Sequence, residues 1–148
     1  YDKYCSNIFA NGFDYDEKSR YELLTAFEVF EHLDDPIKEV EFMLNFSDNI
    51  FFSTEIQPLK NVLPENWWYI MPETGQHIAL YSIQSLKQIA IKYNLNFYSN
   101  GKNLHLFTKK KINNFIFKLL TRHKLSLIFD NLLADPKSFL SKDYNSIK

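Results

Sequence analysis

Residues Leu23 to Pro36 read LLTAFEVFEHLDDP. The apolar run YELLTAF (21–27) has the composition of a strand buried on both faces, as in a parallel sheet. Asp35-Pro36 signals the start of a helix, with Asp35 as N-cap and Pro36 suited to the first helical position. Between strand and helix stand Glu28, Glu31 and His32. A buried strand thus gives way to a helix across two carboxylates and an imidazole.

The pattern continues on the carboxyl side. DPIKEVEFMLNF (35–46) places Ile37, Val40, Met43 and Leu44 on one helical face. NIFFSTEI (49–56) reads as a second buried strand, and residues 57–77 as a long loop containing LPENWWYIMPETGQH. SIQSLKQIAIKYN (82–94) is a predicted helix capped by Ser82, with Leu86, Ile89, Ala90 and Tyr93 facing the core. LNFYS and LHLFTKK flank Asn100-Gly101 and predict a hairpin over 95–108, its turn two residues or longer. Residues 112–134 predict a helical tail. Its apolar face (Phe115, Leu119, Leu120, Leu127, Ile128) would dock on its own domain or on a partner, and the oligomeric state stays open.

Strands alternating with helices predict an α/β, Rossmann-like sheet, mostly parallel, with helices on both faces and a terminal antiparallel hairpin at its far side. Ligands of such sheets bind outside the carboxyl ends of the strands. Glu28 and Glu55 lie at those ends, and the aromatic loop leaves from the same rim.

With 148 residues, one domain is the expectation, and 45% hydrophobic residues suffice for a core. A net charge of -1 gives no overall field to attract nucleic acid or a membrane surface. The apolar stretches are too short to span a bilayer, and no signal peptide stands out. The single cysteine, Cys5, excludes an internal disulfide framework and a thiolate zinc cluster, and fits a reducing, cytoplasmic compartment.

A strand, EVFEHLDDP, a helix, a strand, a loop ending in GQHIALYS, a helix and a hairpin together resemble the class I S-adenosylmethionine-dependent methyltransferases over residues 1–111. The resemblance implies that 1–111 is the C-terminal part of a methyltransferase domain, with 112–148 a helical tail packed on it. That family cradles its cofactor in a glycine-rich loop after its first strand. The three glycines here, Gly12, Gly75 and Gly101, form no such loop. The expectation is that the loop precedes Tyr1.

The resemblance implies S-adenosylmethionine as cofactor. YDKY would end the family's second strand, so Asp2 matches its acidic ribose-binding residue; a carboxylate can accept two hydrogen bonds from a vicinal diol. Asp14, in GFDYD, matches the acidic residue near the adenine amino group. Phe27 and Glu28, ending the family's fourth strand, are implied cofactor contacts.

Glu-x-x-Glu-His at this place resembles the metal-binding motif of the small-RNA 2′-O-methyltransferases, and is similar to that of the ubiquinone-pathway O-methyltransferases. In the RNA enzymes a further histidine from downstream of the fifth strand completes the site, and His77 stands in the corresponding region. The implied metal ligands are Glu28, Glu31, His32 and His77, a set suited to magnesium, manganese or iron. The alternative is a metal-free cleft with His32 or His77 as general base. In either case Glu31, His32 and His77 are the candidate catalytic residues. The chain departs from the RNA enzymes in lacking a basic, aromatic-interleaved surface, so RNA is not the expected acceptor. KKK (109–111) reads as a solvated strand end.

Trp67 and Trp68 are adjacent in a loop: either one anchors it while the other stacks on a substrate ring or sugar face, or both rings are buried and pin the loop. Pro64, Pro72 and Gly75 would stiffen or hinge the loop. His105 and His123 are expected to be structural or solvent-facing. The function expected is methyl transfer to an O or N acceptor on a small or sugar-containing molecule. The alternative is a non-catalytic binding or scaffold protein of the same fold, a reading the missing glycine loop favours and the ionisable cluster opposes.

Overall fold

The computed structural model describes Asp16, residues 18–58, residues 67–122 and Asn145. Asp2, Asp14, Pro64, His123 and most of the helical tail lie outside the described residues. The element order is β1 (Leu24–Ala26), a 3₁₀ turn (Phe30–His32), α1 (Pro36–Leu44), β2 (Asn49–Ser53), α2 (Ile83–Lys92), β3 (Asn96–Ser99), β4 (Leu104–Thr108) and α3 (Asn114–Leu120).

Local chemistry accounts for the helix starts. The Asp35 side chain accepts a hydrogen bond from the Lys38 N–H at the mouth of α1, with Pro36 next in line. Ser82 and Ser85 form a reciprocal capping box at the start of α2. Asn94, at φ +53°, follows the last turn of α2, and its backbone carries the chain into β3.

The sheet order is β1-β2-β4-β3. β1 pairs parallel to β2, with Leu24 opposite Ile50 and Ala26 opposite Phe52. β4 is antiparallel to both β2 and β3. Two of the three pairings are therefore antiparallel, against the mostly parallel sheet expected. Nor does the antiparallel strand lie at the far side; it sits inside, and β3 is at the edge among the described strands. The turn explains this. Asn100 Oδ1 accepts from the N–H groups of Lys102, Asn103 and Leu104, while Gly101 takes φ +84°. So tight a reversal lays β4 directly beside β3, and β4's other edge completes β2.

One face of the sheet carries the core. Ala26, Ile50, Phe52 and Phe107 meet Val40 of α1 and Leu86, Ile89 and Ala90 of α2 there. The Tyr93 hydroxyl, at the end of α2, donates to the Ile37 carbonyl at 2.7 Å and so ties the two helices together. On the opposite face Phe117 of α3 sets its ring against Phe51 and Tyr98. Helices thus flank both faces. The face of α3 that packs is built on Phe117, whereas Phe115 and Leu120, expected to dock, are exposed. Leu127 and Ile128 lie outside the described residues. β1 also differs from expectation: Leu23 and Phe27 at its ends and Thr25 within it are exposed, because β1 is the sheet's edge among the described strands. Among the described residues no helix is long and apolar enough to cross a membrane.

His105 of β4 is completely buried. Its Nε2 is 3.0 Å from the Thr54 carbonyl, which can only accept, so Nε2 carries the proton. Nδ1 then accepts from the Ser99 hydroxyl at 2.9 Å, and that hydroxyl oxygen accepts in turn from the Gly101 N–H. His105 is thus a neutral structural residue, joining the hairpin to the end of β2. Burial lowers its pKa to about 4, opposed by the Thr54 hydrogen bond. The unfolded chain therefore binds the proton more readily. Stability from this group is complete above pH 6.5 and is lost as pH falls toward 4, on the order of 3 kcal/mol when fully developed. Denaturant titrations at several pH values should show this acid limb in the wild type and a flatter one in His105→Gln.

Candidate active site

The chain leaves β1 through an uncommon conformation. Glu28 has φ +53°, a left-handed backbone that is costly for a residue with a side chain. Ser53, the last residue of β2, holds it there. The Ser53 hydroxyl oxygen accepts the Glu28 N–H at 2.8 Å, and the hydroxyl donates to Glu28 Oε1 at 2.8 Å. The reversal feeds the 3₁₀ turn, whose first residue is driven into the core: Phe30 stacks on Phe52 at 3.9 Å between ring centroids. With Phe30 pointing inward, Glu31 is enclosed beside it and His32 lies at the surface.

The segment before α2 returns across this turn. The Tyr81 hydroxyl donates to the Phe30 carbonyl at 2.9 Å, and the N–H groups of Ile78 and Ala79 both donate to the Glu31 carbonyl. That return delivers His77. The rings of His32 and His77 stand 5.2 Å apart, and one ligand atom from each of Glu31, His32 and His77 lies within 4.8 Å of the others.

Both imidazoles are fixed in the same way. His32 Nδ1 is 2.7 Å from the Gln76 carbonyl and His77 Nδ1 is 2.6 Å from the Tyr69 carbonyl. A carbonyl only accepts, so each Nδ1 bears a hydrogen and each Nε2 is left with the lone pair when the ring is neutral. A backbone carbonyl on the far nitrogen is the arrangement that orients metal-ligating histidines. Glu31 completes the set. Its side chain is fully buried, and among the described residues neither carboxylate oxygen has a hydrogen-bond partner of good geometry. Burial raises its pKa, and the charge of Glu28 adds to the effect; Tyr69 and His32 oppose it in part. A buried carboxylate whose oxygens have no partner among the described residues, beside two imidazole lone pairs, fits a divalent cation.

Glu28 is outside that group of three, engaged instead by Ser53. Phe27, half exposed, sets its ring edge-on against Phe51 at the carboxyl end of β1. Trp67 is buried, 7% exposed, and Trp68 is 72% exposed, so one anchors the loop and the other is open. Between them and His77 lies Tyr69, buried, its ring 4.3 Å from that of His77. Burial pushes the Tyr69 hydroxyl up to about 12.

Ser53, Tyr69 and Tyr81 are the residues missed from sequence. Ser53 carried a faint signal, a small hydroxyl at the carboxyl end of a buried strand. Tyr69 carried another, a third ring with a polar handle after two tryptophans.

A family model described as “Methyltransferase domain” matches residues 2–100, more than half of the chain. The chain belongs to this methyltransferase domain family. No curated protein and no solved structure matches it. The matched span contains every residue of the cluster, so the Glu31–His32–His77 group lies within the methyltransferase domain. It also contains Asp2 and Asp14, outside the described residues.

Because the folded state holds Glu31 with a raised pKa, the methyltransferase domain without a cation loses stability as pH rises above the ordinary carboxyl range. Glu31→Gln removes that penalty. In chelator, the variant should melt above the wild type at pH 8. The difference should vanish near pH 4, and excess divalent cation should favour the wild type.

Proposed function

We propose that this methyltransferase domain transfers the methyl group of S-adenosylmethionine to a hydroxyl oxygen of a small or sugar-containing acceptor placed at Glu31, His32 and His77. The observation that carries the reading is the buried Glu31 carboxylate, without a hydrogen-bond partner among the described residues, beside two imidazoles whose Nδ1–H groups are fixed by backbone carbonyls. The Glu-x-x-Glu-His resemblance to metal-dependent O-methyltransferases supports it. Oxygen is favoured over nitrogen because a neutral amine already presents a lone pair, whereas a hydroxyl must lose its proton as it attacks.

The reaction is an in-line displacement. The acceptor oxygen forms a bond to the methyl carbon as the carbon–sulfur bond breaks, leaving a neutral thioether and releasing the acceptor proton. Positioning supplies much of the rate. Glu28, held by Ser53, and the half-exposed Phe27, both at the carboxyl end of β1, would contact the donor. Asp2 and Asp14 would hold its ribose and adenine. Glu31, His32 and His77 would hold a divalent cation, which when bound would orient and acidify the acceptor hydroxyl. Without a cation, an imidazole Nε2 would take the proton. Trp68, exposed beside Tyr69, offers a ring face to the acceptor.

Methyl transfer from labelled S-adenosylmethionine to a panel of hydroxyl and amine acceptors tests this, with calorimetry of donor binding alongside. Glu31→Ala and His32→Ala should each lower turnover by at least about 10²-fold and leave donor affinity within a few-fold. Chelation separates the two versions: loss of activity marks the cation, persistence marks the general base. Transfer only to amines, or donor binding with no transfer by the wild-type chain, would overturn the proposal.

A further inference from the structure

Tyr69 touches two members of the cluster in three different ways. Its main-chain carbonyl accepts the His77 Nδ1–H at 2.6 Å. Its ring lies 4.3 Å from the His77 ring at 44°. Its hydroxyl, 3.4 Å from Thr54 Oγ1, also faces Glu31 closely enough to favour that group's charged form. Position is imposed from behind. Ile70 N–H donates to the Trp67 carbonyl at 2.9 Å and closes a tight turn over Trp67–Ile70, while the buried Trp67 ring packs 5.3 Å from Tyr69. The buried tryptophan therefore fixes the turn, and the turn fixes the tyrosine.

We propose that Tyr69 is the positioning residue of the Glu31–His32–His77 site, setting the tautomer and aim of His77 through its ring and carbonyl and facing Glu31 with its hydroxyl. This rests on the reading of those three residues as one site. His32 is the comparison, because its Nδ1–H goes to the Gln76 carbonyl and not to Tyr69.

The test has two arms on the full chain. Imidazole ¹⁵N spectra of the chelator-treated protein read the tautomers whether or not a cation ever binds. His77 should be Nδ1-protonated in the wild type and in Tyr69→Phe, and should become a mixture of tautomers in Tyr69→Leu, with His32 still Nδ1-protonated. In the second arm Co²⁺ alone is titrated, followed by its visible absorption. Tyr69→Phe should bind it about tenfold more weakly, as expected when an outer partner of a metal site is removed. An Nε2-protonated His77 in the wild type overturns the proposal, as does a Tyr69→Leu spectrum in which His77 is unaltered. If Tyr69→Leu does not fold, Tyr69→Phe decides: Co²⁺ affinity within twofold of wild type overturns the proposal. Absence of Co²⁺ uptake by the wild type refutes the cation reading and leaves Tyr69 to be judged by the His77 signal.

Discussion

The stack of Phe30 on Phe52 is the contact from which the site is built. It draws the residue after a left-handed turn into the core, 3.9 Å from a strand residue with no exposed surface. Once Phe30 is committed, the rest of the 3₁₀ turn has little freedom. Glu31 must lie under the returning segment and His32 beside it. The Tyr81 hydroxyl on the Phe30 carbonyl then fastens that segment to the turn from the other side. A hydrophobic contact thus places a carboxylate where no hydrophobic contact favours it. Truncating an aromatic of this kind costs about 3–5 kcal/mol in cores generally, and here it would also release the turn that carries the ionisable groups.

The backbone at Glu28 is strained and the side chain at Glu31 is desolvated, within three residues of each other. Each is unfavourable alone. Ser53 offsets the first with two hydrogen bonds from one hydroxyl. Nothing among the described hydrogen bonds offsets the second. Buried carboxylates without a partner are rare enough to need a cause.

Much of the fold was legible because its signals are local. Asp35-Pro36 and Ser82 announce helices through hydrogen bonds three residues long, and the apolar faces of α1 and α2 follow from spacing alone. Insertion of β4 between β2 and β3 was not legible, since strand pairing depends on which edge is free when the hairpin closes. The site divides in the same way. Glu31, His32 and His77 stand out by residue type and placement. Their supports do not, because Glu28 meets Ser53 across 25 residues, His32 meets the Gln76 carbonyl across 44 and Phe30 meets Tyr81 across 51. A carbonyl, moreover, has no signature in the sequence at all.

The two versions of the chemistry compete for the same atoms. With both Nδ1–H groups committed to carbonyls, the only basic positions left on His32 and His77 are the two Nε2 lone pairs. A cation there removes the imidazoles as bases, and a proton there weakens them as ligands. Cation and general base are therefore alternatives at any one moment. Both bring positive charge to the same place, beside the Glu31 carboxylate that the described fold leaves without a hydrogen bond. The fixed tautomers make this exchange possible without moving a ring, since adding a proton or a cation at Nε2 leaves each Nδ1–H bond intact.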